Sequence, residues 1–141
     1  MKIGFIGLGT MGASLASNLQ KSGLNLIVHD VNEEAAGQHL KAGASWADTP
    51  KQLALQSDVI LTSLPGPPEI EEVYLKAGTG LIEGLNKDKV CFDLSTNSPS
   101  LIRHIHDKFG KKGVHVLDAP VSGGPKGAKS GKLAIWVGGG E

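Results

Sequence analysis

Gly4-Phe5-Ile6-Gly7-Leu8-Gly9-Thr10-Met11-Gly12 is the stretch whose reading decides the fold. Residues 3–6 form an apolar run of strand length, and beyond Gly12 the apolar positions Leu15, Ala16 and Leu19 share one face of a helix. Ser22-Gly23 supplies the stop that ends it. Between strand and helix lies the pattern G-x-G-x-x-G, whose glycines have distinct tasks. The first permits a tight turn, the second lets a pyrophosphate approach the backbone, and the third lets the helix pack closely on the sheet. Free N–H groups and the dipole at that helix start attract phosphate.

Working outward, a second strand over residues 26–28 runs into His29-Asp30. Asp30 follows the turn at roughly the 20-residue interval of the acid that hydrogen-bonds the adenosine ribose hydroxyls in dinucleotide-binding units. Val31 and Asn32 come next, with no Arg or Lys to meet a 2′-phosphate, so the pattern favours NAD over NADP. The bland alternative is a tight turn that binds nothing, with Asp30 only a helix-start residue.

The same alternation of short apolar runs and helical spacing continues along the chain. Asn32 reads as a cap with Glu33 and Glu34 in the first turn, and Gly43 lies past its end. Thr49-Pro50 opens a short helix, residues 59–63 a buried strand, and Leu64-Pro65-Gly66-Pro67-Pro68 a loop. A helix through Ile70, Val73 and Tyr74 precedes a strand at 90–94. Ser98-Pro99 then starts a helix that turns Leu101, Ile102, Ile105 and Phe109 inward. A strand at 114–117 completes a parallel set, residues 119–131 read as irregular, and 133–137 as a final strand. The expectation is a single α/β domain, doubly wound and Rossmann-type, with a mostly parallel sheet and helices on both faces.

Composition agrees with one globular domain. The 141 residues carry 14 Lys+Arg against 14 Asp+Glu, which leaves no electrostatic footprint for nucleic acid or an anionic membrane. Twenty glycines are about twice the usual ~7% without a collagen period, so they belong at defined backbone positions. No apolar stretch approaches the ~20 residues of a membrane span, and glycines at 4, 7, 9 and 12 interrupt what would otherwise pass for a targeting segment. One cysteine, Cys91 within an apolar run, excludes an internal disulfide and suits a cytoplasmic setting.

Ligands of such a sheet bind outside the carboxyl ends of its strands, where Leu64-Pro65, Ser95-Thr96 and residues 119–127 fall. Ser122-Gly123-Gly124 offers a hydroxyl and unobstructed N–H groups suited to a small carboxylate, whereas Ser95 to Ser98 also reads as a plain capping segment. With the glycine-rich turn, Leu64-Pro65, Asp93-Leu94-Ser95-Thr96-Asn97-Ser98-Pro99 and Asp118-Ala119-Pro120-Val121-Ser122-Gly123-Gly124-Pro125-Lys126-Gly127-Ala128, the whole chain resembles the β-hydroxyacid dehydrogenases, typified by 3-hydroxyisobutyrate dehydrogenase and tartronate semialdehyde reductase. The resemblance implies an oxidoreductase moving a hydride between NAD and a small 3-hydroxy acid or semialdehyde. It assigns the cofactor to Gly7, Leu8, Gly9, Thr10, Met11, Gly12, Asp30, Leu64, Pro65 and Thr96, and the substrate carboxylate to Ser122, Gly123 and Gly124. An asparagine that some members carry after Leu-Pro is replaced here by Glu69.

The family's catalytic lysine lies downstream of the last of these motifs, followed by a helical domain that completes the site and the dimer. This sequence stops at Gly138-Gly139-Gly140-Glu141, so it is expected to be the cofactor domain without that lysine, binding without turnover. Lys126, Lys129 and Lys132 sit beside the substrate loop, but in a polar stretch where lysines are usually solvated. A stand-alone NAD-binding sensor or assembly module is the reading from another class, and a 6-phosphogluconate dehydrogenase-like enzyme ranks below. No metal is expected: His104 and His106 point to different sides of their helix and read as solvated, and His29, His39 and His115 lack partners at ligand spacing. Cys91, Trp46 and Trp136 read as packing residues.

Overall fold

Six short parallel strands carry the architecture: β1 (Ile3–Ile6), β2 (Leu26–His29), β3 (Ser45–Trp46), β4 (Val59–Thr62), β5 (Val90–Asp93) and β6 (His115–Asp118). The computed structural model describes residues 1–119, and after them the strand backbone of β7 (Val121–Ser122), β8 (Ala134–Ile135) and β9 (Gly138–Gly139). The order across the main sheet is β3-β2-β1-β4-β5-β6-β9, with β9 antiparallel to β6, while β7 and β8 pair with each other. Ile3 lies opposite Leu26 on one side and Val59 on the other. The chain therefore winds outward from β1 through β3, then returns to lay β4 on β1's other edge. That reversal opens a crevice at the carboxyl ends of β1 and β4, where doubly wound sheets take their ligands.

Strand alternation divides the core between the two faces. Ile6, Ile27, Ile60, Cys91 and Val116 pack against α3 (Pro50–Leu55), α4 (Pro67–Leu75) and α5 (Pro99–Gly110), and Phe5 and Val28 pack on the other face beneath α1 (Thr10–Lys21). Ile105 and Phe109, wholly buried, fix α5, each contributing roughly 1.5–3 kcal/mol by leaving water. The caps fall where the sequence places them. Thr49 Oγ1 accepts the Gln52 N–H at 3.1 Å, Ser98 Oγ accepts the Leu101 N–H at 3.2 Å, and Gly23 and Gly43 take positive φ of 89° and 105° just past their helices.

Several local expectations change. Pro67 and Pro68 open α4 instead of lying in a loop, because proline's missing N–H costs nothing in a first helical turn. Asn32 caps a 3₁₀ turn (Glu33–Ala36) that precedes α2 (Gly37–Lys41), and β3 was too short to show a pattern. β7 falls inside the stretch read as irregular, and β8 inside the strand expected at 133–137. His106 is half-buried, not solvated: on a helix that packs along β6, its Nε2 is enclosed with no hydrogen-bond partner among the described residues.

Candidate functional site

A cleft of about 610 Å³ opens at the carboxyl ends of β1, β2 and β4, within the ~300–1,000 Å³ usual for ligand sites. Its floor is the glycine-rich turn. Gly7 takes φ of 99°, and a Cβ built on it would overlap the Ser63 carbonyl oxygen, so the turn lies directly on the backbone leaving β4. A Cβ on Gly12 would overlap the Gly7 carbonyl oxygen, so the third glycine closes the turn on itself. Gly9 differs: among the described residues nothing lies within 4 Å of its Cβ position. Gly9 is also the N-cap of α1, with no side-chain cap and no acid in the first turn. The helix start thus presents uncapped N–H groups and the positive end of its dipole to the cleft.

Across the floor, Asp30 follows β2 with both carboxylate oxygens engaged by backbone. Oδ2 accepts the Leu8 N–H at 2.6 Å and Oδ1 accepts the Asn32 N–H at 2.8 Å. The acid therefore ties its own loop to the glycine turn, and each oxygen retains a lone pair for a hydroxyl. Beside it His29, which also lines the cleft, bonds the Ala47 carbonyl through Nδ1 at 2.8 Å, with its ring 5.4 Å from Trp46. Val31 stands 94% exposed at the rim, an unusual placement for a β-branched apolar side chain.

Of the residues assigned from sequence, Gly7, Gly9, Thr10, Met11, Gly12, Asp30, Leu64 and Pro65 come together along this cleft. Two do not. The Leu8 side chain is buried under α1 and only its N–H reaches the site, through Asp30. Thr96 is exposed beyond β5 and does not line the cleft. Gly123, Gly124, Lys126, Lys129 and Lys132 lie outside the described residues, as does the side chain of Ser122. Asp48, Thr49, Glu69, Glu72, Lys76 and Thr79 also line the cleft, delivered by the β3–α3 loop, by α4 and by the turn after it. Thr49 is marked in the sequence only as a helix cap and Glu69 only as the replacement of an asparagine, and no sequence motif marks the other four. Lys76 supplies the cleft's one Lys or Arg side chain among the described lining residues, and it pairs with Glu72 at 3.4 Å.

A second polar cluster lies at the carboxyl ends of β4, β5 and β6. Asp93 is wholly buried, and burial pushes its carboxyl above the usual range while Ser95, Thr62 and Asn97 draw it back down. Asp118, opposite it on β6, is pushed up by burial and by the Asp93 charge, and its Oδ1 has no hydrogen-bond partner among the described residues. Burial also raises Tyr74 and Cys91 far above their ordinary values, so Cys91 stays a protonated packing residue. Among the described residues no group of His, Cys, Asp and Glu is arranged to hold a metal ion, and no helix is long and apolar enough to cross a membrane.

Comparison with known proteins agrees with this geometry. Residues 2–141 match the family model described as the NAD binding domain of 6-phosphogluconate dehydrogenase. The mitochondrial 3-hydroxyisobutyrate dehydrogenase of Drosophila melanogaster is 40% identical over 139 residues, 99% of this chain and 42% of that protein. Among solved structures, Psf3 in complex with NADP+ and 2-OPP superposes with a TM-score of 0.93 at 32% identity, over 98% of this chain and 49% of that one. The Mycobacterium tuberculosis 3-hydroxyisobutyrate dehydrogenase with L-serine gives a TM-score of 0.89 at 32% identity, over 99% and 47%. The chain spans about half the length of the curated relatives it matches.

Proposed function

The chain belongs to the NAD-binding domain family of 6-phosphogluconate dehydrogenase, with 3-hydroxyisobutyrate dehydrogenases among its relatives, and from that premise we propose that its cleft holds the dinucleotide for oxidation of a small 3-hydroxy acid. One observation carries the reading. Gly7 and Gly12 are closed by backbone, but Gly9 is open among the described residues, at an uncapped helix start that shares its cleft with Asp30. Free N–H groups and the positive dipole end at such a helix start attract a phosphate-bearing ligand.

In this proposal Gly7, Gly9, Thr10, Met11 and Gly12 hold the pyrophosphate, while Asp30 accepts the ribose hydroxyls and Leu64 and Pro65 form a wall. Thr96 stays assigned to the cofactor by resemblance, from its place beyond β5, as do Ser122, Gly123 and Gly124 to the substrate carboxylate. Bound NAD supplies a hydride acceptor or donor. The chain's own part is to orient the cofactor and exclude water from one side of it. A lysine base and a homo-oligomeric helical domain are the remaining parts the resemblance implies.

NAD is favoured over NADP, although Psf3 is in complex with NADP+. Asp30 and Asp48 line the same cleft, so a 2′-phosphate beside them would meet charge of its own sign. The buried free thiol of Cys91 suits a reducing compartment, the cytoplasm in our reading, though the Drosophila relative is mitochondrial. Gly9→Ala tests the turn. An added methyl meets no atom of the described residues, so stability should change by under about 1 kcal/mol. NADH affinity, followed by fluorescence titration, should fall at least roughly tenfold. Unaltered affinity would remove the pyrophosphate from this turn.

A further inference from the structure

The carboxylate of Asp93 gathers donors from three directions. Its Oδ1 accepts the Thr62 hydroxyl and the Ser95 N–H, each at 3.1 Å, and its Oδ2 accepts Asn97 Nδ2 at 3.1 Å. Two hydroxyls extend the chain. Thr62 Oγ1 lies 2.8 Å from the Tyr74 phenol, and Ser95 Oγ accepts the Leu64 N–H at 2.7 Å. An ionised carboxylate only accepts, which gives the whole chain one direction. Thr62 must donate to Asp93, so the Tyr74 O–H donates to Thr62. Asp93 holds Ser95 through that residue's backbone N–H, and the Ser95 hydroxyl oxygen turns its lone pairs to the Leu64 N–H.

Leu64 is where this cluster meets the cleft. It lines the cavity with Pro65, and its Cδ2 lies 3.2 Å from the Cβ position of Gly7, beside the Ser63 carbonyl that already touches the turn. We propose that Asp93 is a positioning residue of the cofactor cleft, whose carboxylate, acting through Ser95, fixes the wall of Leu64 and Pro65 against the Gly7 turn. This rests on the reading of the cleft as a dinucleotide site.

Protonation reverses the direction. A neutral Asp93 carries an O–H that needs an acceptor and is itself a weaker acceptor, so its hold on the Thr62 hydroxyl and on the Ser95 N–H loosens, and with it the placement of the Ser95 hydroxyl that meets Leu64. The other titratable groups facing it are Tyr74 from α4, Cys91 on its own strand, and Asp118 from β6. Lys89 lies toward the far end of β5, and His106 of α5 faces Asp118. Burial raises the Asp93 carboxyl, so affinity for the dinucleotide is full above that raised value and declines as pH falls through it.

The test is calorimetric titration of the chain with NAD+, from about pH 8 to about pH 4, with far-UV circular dichroism confirming the fold at each point. Asp93→Asn keeps the shape but cannot ionise, so its binding should be weaker at neutral pH and lack the wild-type inflection. Ser95→Ala removes only the hydroxyl and should lose roughly fivefold or more at pH 8. Asp118→Asn should retain the inflection. Folded Ser95→Ala binding as tightly as wild type, or an inflection that survives in Asp93→Asn, overturns the proposal. If Asp93→Asn does not fold, Ser95→Ala decides alone. A wild-type chain with no affinity for NAD+ at any pH overturns the dinucleotide reading itself, and this inference with it.

Discussion

Replacing Asp30 with Ala separates two roles that the structure gives to one carboxylate. In the free protein Asp30 accepts the Leu8 N–H at 2.6 Å and the Asn32 N–H at 2.8 Å. The Leu8 N–H loses a charged acceptor at a part-buried place on the cleft, a cost of about 1 kcal/mol to folding. Asn32 is exposed and its N–H rehydrates, which adds little. In the complex the same carboxylate holds the ribose hydroxyls, and its loss costs NADH another ~1–3 kcal/mol, roughly 5- to 160-fold in affinity. NADPH responds differently, because removal of Asp30 also removes the repulsion of its 2′-phosphate, and its affinity should hold or rise. Urea denaturation measures the first effect and paired fluorescence titrations with NADH and NADPH the second. Equal weakening of both cofactors would refute the reasoning, since it would mean that Asp30 acts only by bracing the turn.

Four further outcomes follow from the same geometry. Gly12→Ala places a methyl on the Gly7 carbonyl, which is backbone and cannot swing aside, so a loss of at least ~2 kcal/mol in denaturant stability is expected along with cofactor binding. Tyr74→Phe keeps the ring contact with Phe109 at 5.7 Å but leaves Thr62 without its donor, and should cost about 0.5–1.5 kcal/mol by chemical denaturation. Asp118 has a raised carboxyl, so the folded state binds its proton more tightly than the unfolded chain does. The ionisation penalty is present at neutral pH and is relieved as pH falls through the raised value toward 3.8. Asp118→Asn should therefore raise the urea midpoint at neutral pH and change nothing below about pH 4. A polypeptide of residues 1–141 is expected to bind NADH without oxidising 3-hydroxyisobutyrate, since the catalytic lysine that the resemblance implies is not among these residues. Sustained NADH formation in a spectrophotometric assay would count against that.

Residues 3–30 show how far a sequence alone reaches here. The strand, the turn, the helix and Asp30 were legible because each is set by local demands: a period of two or of 3.6, a φ of 99° at Gly7, a backbone approach that only Gly12 permits. The caps at Thr49 and Ser98 were legible for the same reason. The parallel order followed from alternating strand and helix, because few ways of stacking such units bury both faces of a sheet. Tertiary structure decided what depends on the juxtaposition of distant segments. Leu8, inside the fingerprint, turns into the core, while Glu69, Glu72 and Lys76 reach the cleft because α4 docks beside it. Asp93 meets Thr62 only because β4 and β5 are neighbours in register, 31 residues apart along the chain. A periodicity records which face of an element is apolar. Which polar groups that face brings within hydrogen-bond reach is fixed by packing, and packing is a property of the whole chain.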